Sequence, residues 1–159
     1  MPLLTKIISG GQTGADRAGL DAAKESGIVT GGRCPKGFRT ETGADPSLKQ
    51  YGLTETDSSD YTERTKLNFL DSDGTVIFTD VSNGKITSRG SLLTLKTAKE
   101  NDKPCIVNPT VAELVKWIKS NSINVLNVAG NRESTSPGIY ERVKGVLTEA
   151  LGEKLKENN

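Results

Sequence analysis

Short apolar segments alternate with helical segments along the chain. The apolar segments predict five β-strands, at Leu3–Ser9, Ile28–Arg33, Thr75–Thr79, Pro104–Val107 and Asn124–Val128. Three helices are predicted at Ala15–Glu25, Gly90–Asn101 and Val111–Ser120. Two more helices are predicted to end at Leu70 and at Leu151, and their starts follow from capping residues. Strands that alternate with helices are typical of a parallel sheet with crossover connections. We therefore predict an α/β fold, namely a Rossmann-like, doubly wound and mostly parallel sheet with helices on both faces.

Two of these helices begin at capping residues. Asp60 with Glu63 has the spacing of a capping box, which predicts a helix start at this position. Ser136 before Pro137 predicts an N-cap followed by proline at the first helical position.

The domain organisation follows from the length and from the absence of a linker or repeat in the sequence. The 159 residues fit one Rossmann-like ligand-binding domain over residues 1–159. Residues 34–60 are polar and show no periodicity, which predicts a lid, a binding loop or a disordered segment. Residues 152–159 form a charged tail.

The composition limits the class of function. A net charge of +1 disfavours nucleic-acid binding, and the absence of histidine together with only two cysteines makes a protein-held zinc ion improbable. No apolar run has the ~18 residues of a membrane span, and Met1–Thr13 lacks the apolar region of a signal peptide. Cys34 and Cys105 do not form a CxxC pair. We therefore predict a cytoplasmic protein that binds neither membranes nor nucleic acid.

A glycine-rich turn follows the first predicted strand and precedes the first helix. Ligands of open parallel sheets bind beyond the carboxyl ends of the strands, and a helix N-terminus favours phosphate. Asp16 is unfavourable beside an anion, so we expect it to cap the helix or to contact a ligand hydroxyl. The spacing matches neither G-x-G-x-x-G nor a Walker A motif, so a tight turn with glycines needed only for packing is the alternative.

Similar polar residues and glycines follow the other predicted strands, and three arginines accompany them. Because arginine binds oxyanions well, we expect Arg33, Arg89 and Arg132 to line one anion pocket, against the alternative that each is a solvated surface charge. No catalytic residue and no protein-held metal are assigned. The predicted ligand-binding residues are Gly10, Gly11, Gln12, Thr13, Gly14, Gly32, Arg33, Thr79, Ser88, Arg89, Gly90, Ser91, Asn131 and Arg132.

Seven ordered motifs resemble those of the molybdenum-cofactor carrier family, which is related to the LOG-type (lysine-decarboxylase-like) and DprA-like Rossmann domains. The resemblance covers nearly the whole chain. The motifs are GGQTGAD at Gly10–Asp16, GGRCPKGFRTETG at Gly31–Gly43, YGLTET at Tyr51–Thr56, YTERTKLN at Tyr61–Asn68, SDGTVIF at Ser72–Phe78, SRGS at Ser88–Ser91 and LNVAGNRES at Leu126–Ser134, followed by PGIYE at Pro137–Glu141.

This resemblance implies a bound cargo, the molybdenum cofactor, which is a phosphorylated pterin whose dithiolene holds an oxo-molybdenum centre. It implies a carrier that binds, protects and delivers the cofactor, and it implies a homo-oligomer, expected to be a tetramer. The partners would be the small phosphorylated ligand and either molybdoenzymes or cofactor-inserting proteins. Residues 34–60 would serve as a lid over the cofactor.

Two other functions stay open. LOG-type relatives cleave the N-glycosidic bond of nucleotides with a glutamate in a PGGxGTxxE motif, and the corresponding segment here, Ser88–Thr94, lacks that glutamate. The acids that remain for such a reaction are Asp16, Glu41, Asp80 and Glu133. The other function is a nucleotide or ADP-ribose sensor without turnover.

Cys34 invites the hypothesis of a thiolate ligand to molybdenum because it follows a predicted strand end. The alternative is a half-buried structural thiol before Pro35. We favour that alternative, since the dithiolene of the cofactor already supplies sulfur.

Overall fold

The computed structural model describes residues 3–152 and residue 155. Within this part the chain forms ten strands, five α-helices and one 3₁₀ helix. The strands are β1 (Lys6–Ile8), β2 (Val29–Cys34), β3 (Arg39–Thr40), β4 (Gly43–Ala44), β5 (Leu53–Glu55), β6 (Gly74–Phe78), β7 (Val81–Ser82), β8 (Lys85–Ile86), β9 (Cys105–Val107) and β10 (Val125–Gly130). The helices are α1 (Ala15–Glu25), α2 (Tyr61–Leu70), α3 (Arg89–Asn101), α4 (Val111–Ser120) and α5 (Ile139–Leu151), with the 3₁₀ helix at Pro46–Tyr51.

Six of the strands form one parallel sheet in the order β5-β2-β1-β10-β6-β9. From β1 the chain adds β2 and β5 on one side and then β6 and β9 on the other. The last strand, β10, lies between β1 and β6 in the centre of the sheet. The strand order therefore reverses at the centre, and this confirms the predicted Rossmann-like, doubly wound fold.

The helices form two groups around the sheet. Helix α5 packs against α1 and α4, whereas α2 packs against α3. Val76 and Phe78 of β6 belong to the core that contains α1, α4 and α5. Ile77 lies between them, is fully buried and, because side chains alternate along a strand, faces the opposite side. Both faces of the central strands are thus covered, as their continuous apolar sequences require.

The prediction for residues 34–60 is wrong in one respect, because this segment is largely structured. It contains the β3–β4 hairpin, the 3₁₀ helix and β5, which extends the main sheet by pairing with β2. Leu48 and Leu53 anchor the segment in a second apolar cluster with Leu20. Burial of these side chains orders a segment that is polar on average.

The predicted start of the last helix is also wrong. The N-cap is Gly138, two residues after Ser136, and no side chain caps it. The Ser136 hydroxyl instead donates to the Asp80 carboxylate and accepts from the Asn131 amide. Asp60 is an N-cap as predicted, and its carboxylate accepts from the Thr62 N–H.

Most of the predicted charged tail, residues 153, 154 and 156–159, lies outside the described residues. Leu155 is described, and its side chain is buried in the core beside α5. This part of the tail is therefore a packing element.

Candidate functional site

A cavity of about 280 Å³ lies at the carboxyl ends of the central strands. Its walls come from the turn before α1 (residues 10–14, here called the α1 turn), the first turns of α2, the start of α3 (residues 88–91, the α3 turn) and the loop after β10. In open α/β sheets this edge, at the point where strand order reverses, is where ligands bind.

Gln12 forms part of the cavity wall with its side-chain amide held in one orientation. The Oε1 atom accepts from the Thr13 N–H at 3.0 Å and from the Glu41 N–H at 2.8 Å. Gln12 is 4% exposed, and its Nε2 atom has no hydrogen-bond partner among the described residues. A buried amide donor without an acceptor is costly, so this group is suited to a ligand acceptor atom.

Two further residues at the cavity also have a buried polar atom without a hydrogen-bond partner. The Ser91 hydroxyl and the Arg64 Nε have no partner in the described part of the chain, and both residues line the cavity. Ser91 is 3% exposed. Three residues that line one cavity, from the α1 turn, α2 and α3, therefore each have a buried hydrogen-bonding atom without a partner among the described residues.

The α1 turn does not offer the anion cradle that its glycines predict. The Gln12 N–H donates to the Asp16 carboxylate at 3.2 Å, and the Thr13 N–H donates to the Gln12 side chain. The Ala15 N–H donates to the Asn131 carbonyl at 3.1 Å. Because side chains and a carbonyl of the protein itself already use these donors, the prediction of a phosphate on this turn is corrected.

The glycines of the α1 turn permit close packing. A Cβ at Gly14, whose φ is +80°, would lie 2.4 Å from the Asn131 carbonyl oxygen, and a Cβ at Gly10 would overlap the Arg64 guanidinium. At Gly11 it would overlap Leu48 and Leu53. The packing alternative stated for these glycines therefore describes the turn correctly.

Asp16 and Arg64 form a buried ion pair at the cavity wall. The Arg64 Nη1 lies 3.3 Å from the Asp16 carboxylate, and the two side chains are 13% and 3% exposed. Burial raises the pKa of Asp16 above its ordinary value, although Arg64 and the Gln12 N–H act in the opposite direction. The Asp16 carboxylate thus accepts a hydrogen bond from the α1 turn, but no side chain caps α1, so the expected capping role is not confirmed.

The α3 turn, by contrast, has free donors. The Ser88 hydroxyl accepts from the Ser91 N–H at 3.3 Å and caps the helix. The Arg89 and Gly90 N–H groups have no acceptor within the described residues, and the Arg89 side chain is exposed at the cavity. No acidic residue occupies the first turn of α3. Free N–H groups, the helix dipole and a guanidinium together favour an anion.

Arginines also surround the ring of Tyr61 at the cavity. The guanidinium carbons of Arg39, Arg64 and Arg132 lie 4.6, 5.3 and 5.2 Å from the ring centroid. The ring quadrupole stabilises these cations and keeps them close together. Tyr61, Arg64 and Arg132 line the cavity, so its positive charge exceeds the single negative charge of Asp16.

Thr79 and Asn131 have supporting positions. The Thr79 hydroxyl donates to the Asn131 Oδ1 at 2.8 Å, and the Asn131 Nδ2 donates to the Ser136 hydroxyl at 2.8 Å. Asn131 lines the cavity, but both ends of its amide are used within the protein. Thr79 therefore fixes the loop after β10 from behind the cavity.

Seven of the predicted site residues do not line this cavity, namely Gly10, Gly11, Thr13, Gly14, Gly32, Arg33 and Thr79. Arg33 and Gly32 line a separate cavity of about 480 Å³, where the Arg33 Nε pairs with Asp71 at 3.2 Å. The prediction that Arg33 joins the other two arginines is wrong, because the Arg33 side chain pairs with Asp71 at this other cavity. Thr13 lines a third cavity of about 550 Å³, and its hydroxyl donates to Glu41.

Cys34 lies in the apolar cluster with Leu20 and Leu48, and its Sγ contacts the Thr54 carbonyl at 3.6 Å. Burial raises the pKa of the Cys34 thiol to about 11, so the thiol stays protonated at neutral pH. The structural alternative for Cys34 therefore agrees with its surroundings, and the thiolate hypothesis does not.

The four candidate acids also differ in whether they line the cavity. Of these four, Asp16 alone lines the cavity. Glu41 accepts from Ser134 and Thr13, Asp80 accepts from Ser136, and Glu133 accepts from the Gly138 N–H. Three of the acids thus have structural partners outside the cavity.

Arg64 and Tyr61 line the cavity, and the sequence reasoning did not include them among the site residues. They lie at the start of a helix that the capping signal at Asp60 predicts. What the pattern does not show is that this helix start lies against the α1 turn. A cation in the first turn of a helix is unfavourable because it opposes the helix dipole. The presence of Arg64 at this position was therefore the sequence feature that could have marked it as a candidate site residue.

Within the described residues, no cluster of three or more histidine, cysteine or acidic side chains has the arrangement of a metal site. In the same part of the chain, none of the helices combines the length and the apolar character needed to cross a membrane.

The parallel sheet, its central reversal of strand order and the cavity at its carboxyl edge define the Rossmann-like class of α/β proteins. Within this class, residues 7–151 match the circularly permutated YpsA SLOG family, and the chain belongs to that family. A crystal structure from Syntrophus aciditrophicus named "Putative molybdenum carrier protein" is similar, with 42% sequence identity, a TM-score of 0.83 and coverage of 95% of this chain and 96% of that one. A comparison with curated proteins finds no match.

Proposed function

We propose that this protein binds the molybdenum cofactor, protects it and delivers it. The observation that carries the proposal is that Gln12, Arg64 and Ser91 line a cavity edged by arginines, and that each has a buried polar atom without a partner among the described residues. A ligand with several oxyanion groups provides the acceptors that these groups lack. The name of the Syntrophus aciditrophicus protein supports the choice of ligand.

The α3 turn is the site proposed for the terminal phosphate. Its two free N–H groups and the Arg89 side chain are donors, and no first-turn carboxylate repels the anion. The cavity volume of about 280 Å³ is close to the lower limit of roughly 300 Å³ for small-molecule pockets. We therefore assign the cavity to the anionic part of the ligand, with the remainder at the mouth beside Tyr61 and Arg132.

The β3–β4 hairpin is the part of residues 34–60 proposed to act as a lid. Glu41 at its turn accepts from Thr13 and Ser134 and lies 3.8 Å from the Arg132 Nε. Burial raises the pKa of Glu41, but hydrogen bonds from Ser134 and Thr13 outweigh burial and hold this pKa below its ordinary value. The ionised carboxylate thereby connects the hairpin to the loop after β10. Shortening the hairpin should reduce the lifetime of the bound cofactor.

The remaining parts of the proposal concern the cellular setting. We propose a cytoplasmic homotetramer that transfers its cargo to molybdoenzymes or to cofactor-inserting proteins. The near-neutral net charge of +1 supports a small-molecule ligand over nucleic acid.

The test is analysis of what copurifies with the protein from a host that makes the cofactor. Molybdenum is measured by mass spectrometry, and the pterin is measured by fluorescence after oxidation. We expect both in near-equal amounts with the unmodified protein. Recovery of a nucleotide without molybdenum would contradict the proposal and support the nucleotide sensor.

One observation favours a second function, the hydrolysis of a nucleotide N-glycosidic bond. Asp16 is a buried carboxyl group at the cavity with a raised pKa, and such groups occur at catalytic sites. Incubation with AMP tests this function, because free adenine would appear with the unmodified protein and not with Asp16→Asn. The ion pair between Asp16 and Arg64 supports a structural role for Asp16 more strongly than a catalytic one.

A further inference from the structure

Arg39 is a cation beside the cavity that has no carboxylate partner in the described part of the chain. It lies on β3 of the β3–β4 hairpin, it is exposed, and it does not itself line the cavity. Its Nη1 atom donates to the Ser59 carbonyl at 2.9 Å, and its guanidinium carbon lies 4.6 Å from the centroid of the Tyr61 ring. Among the described residues, the ion pairs within 4.0 Å do not include Arg39. Only a carbonyl group and an aromatic ring therefore compensate its charge.

The other two arginines at this ring each have an acidic neighbour. The guanidinium carbons of Arg64 and Arg132 lie 5.3 and 5.2 Å from the centroid of the same ring. Arg64 pairs with Asp16 at 3.3 Å, and the Arg132 Nε lies 3.8 Å from the Glu41 carboxylate. The three guanidinium groups repel one another over distances no greater than about a Debye length. With two carboxylates for three arginines, this group carries an excess of one positive charge, that of the hairpin arginine.

The hairpin that carries Arg39 is held beside the cavity by Glu41, two residues further along the chain. The Glu41 carboxylate accepts from the Thr13 hydroxyl and from the Ser134 N–H. The Glu41 N–H donates to the Gln12 Oε1 at 2.8 Å. Because these bonds fix the hairpin without a ligand, a ligand that binds Arg39 does not have to order the hairpin first, and this lowers the entropic cost of binding.

We propose that Arg39 and Arg132 form a second anionic subsite around Tyr61, so that the protein prefers ligands with two anionic groups to ligands with one. The first group occupies the α3 turn, and the second contacts the guanidinium groups, which bind oxyanions well. Tyr61 and Arg132 line the same cavity as Arg89 and Gly90, so one ligand can contact both subsites. The chemical class is a phosphate ester or phosphate chain that carries a further oxyanion. This inference rests on the proposed function, because it takes the α3 turn as the first anion site.

The experiment compares inorganic phosphate, pyrophosphate and tripolyphosphate as probes, by calorimetric titration at constant pH and ionic strength. The probes offer the same phosphate oxygens and differ in the number of anionic groups, so the ratio of tripolyphosphate affinity to phosphate affinity measures the second subsite. Arg39→Gln removes the excess charge and keeps a side chain that can donate to Ser59. We expect this variant to lower the ratio about tenfold, because a charge-assisted hydrogen bond is lost. Its phosphate affinity should stay within about twofold, since salt screens the more distant charge.

The matched control is Arg142→Gln, which removes the same charge from an exposed arginine of α5. Arg142, like Arg39, is absent from the ion pairs within 4.0 Å among the described residues. We expect this control to leave the affinity ratio unchanged. An unchanged ratio in Arg39→Gln, or an equal loss in both variants, would overturn the inference.

Arg39→Lys separates the charge of Arg39 from its shape and from its place in the hairpin. This variant keeps the cation, so it should retain a larger affinity ratio than Arg39→Gln. Equal losses in the lysine and glutamine variants would overturn the inference, because the charge would then not be the cause.

The unmodified protein distinguishes this inference from the proposed function. Phosphate binding with no higher affinity for tripolyphosphate would overturn the second subsite alone. No binding of phosphate would overturn the α3 turn as an anion site, and the second subsite with it. The copurification test for molybdenum is independent of both outcomes, since it uses none of these probes.

Discussion

The α1 turn and the α3 turn both contain glycine and hydroxyl residues and both lie at the start of a helix. Both contribute to the same cavity wall, the α1 turn through Gln12. In the α1 turn, the Asp16 carboxylate and the Gln12 side chain accept the N–H groups of Gln12 and Thr13. In the α3 turn, the Arg89 and Gly90 N–H groups have no acceptor within the described residues. A glycine-rich turn therefore binds an anion only if the protein leaves its donors free, and an acid in the first helical turn indicates that it does not.

The largest expected effect comes from adding one methyl group to each turn. Gly14→Ala should cost about 3 kcal/mol or more of unfolding free energy, because its Cβ would lie 2.4 Å from a carbonyl oxygen at a φ of +80°. Gly90→Ala should change stability by less than about 1 kcal/mol, since a Cβ there meets only the Ser88 hydroxyl at 3.9 Å. Urea unfolding measures both. Equal costs would contradict the contrast between the turns.

Charge reversal should have different effects at Arg89, which lines the cavity, and at Arg33, which lies elsewhere. Arg89→Glu should reduce the affinity for a phosphorylated ligand about 100-fold, because it removes a charge-assisted hydrogen bond and adds repulsion. The matched control is Arg33→Glu, whose guanidinium pairs with Asp71 at a different cavity. The molybdenum content of the purified protein provides the measurement. Similar losses in both variants would contradict the site assignment.

The caps of the two helices differ as well. The Ser88 side chain caps α3, whereas no side chain caps α1. Ser88→Ala should therefore lower the unfolding free energy by about 1 kcal/mol. Thr110→Ala, at the capping box of α4, serves as the comparison and should cost a similar amount. A neutral Ser88→Ala variant in urea unfolding would show that the Ser88 hydroxyl does not stabilise α3.

The smallest expected effect is a dependence of stability on pH. Because the folded-state pKa of Asp16 is raised above 3.8, the folded protein binds the proton more tightly, and the unmodified protein should lose stability relative to Asp16→Asn as pH rises through that pKa. For Asp45, the Ser47 hydroxyl and Arg17 lower the pKa, so the stability it contributes is present above pH 3.8 and lost on acidification. The unmodified protein should therefore gain stability relative to Asp45→Asn as pH rises, which is the opposite of the dependence expected for Asp16. Urea unfolding from pH 3 to 7 measures both, and slopes of equal sign would contradict the assigned surroundings of Asp16.

The fold was largely predictable because strongly apolar strands and capped helices carry local signals. Helix α1 has the predicted bounds, and β6 coincides with the predicted apolar strand within one residue at each end. The strand of the main sheet that was missed, β5, has three residues and only Leu53 is buried, so it lacks a period that a sequence pattern can show. The central position of β10 also depends on pairing between distant segments, which no local signal reports.

The candidate site was predictable only where a residue follows a strand or begins a helix at the carboxyl edge. Gln12, Arg89, Ser91 and Arg132 satisfy this condition and line the cavity. Arg33 stands at a strand end in the sequence as well, but its side chain pairs with Asp71 at a different cavity. The use of the α1 turn by Asp16 depends on side-chain hydrogen bonds, and these follow from tertiary packing rather than from residue spacing.

The most direct measurement of the central claim is a crystal structure of the protein grown with saturating inorganic phosphate. We predict one phosphate in the cavity, within hydrogen-bond distance of the Arg89 and Gly90 N–H groups and of the Gln12 amide. A phosphate bound to the α1 turn or beside Arg33, with none at the α3 turn, would contradict the account.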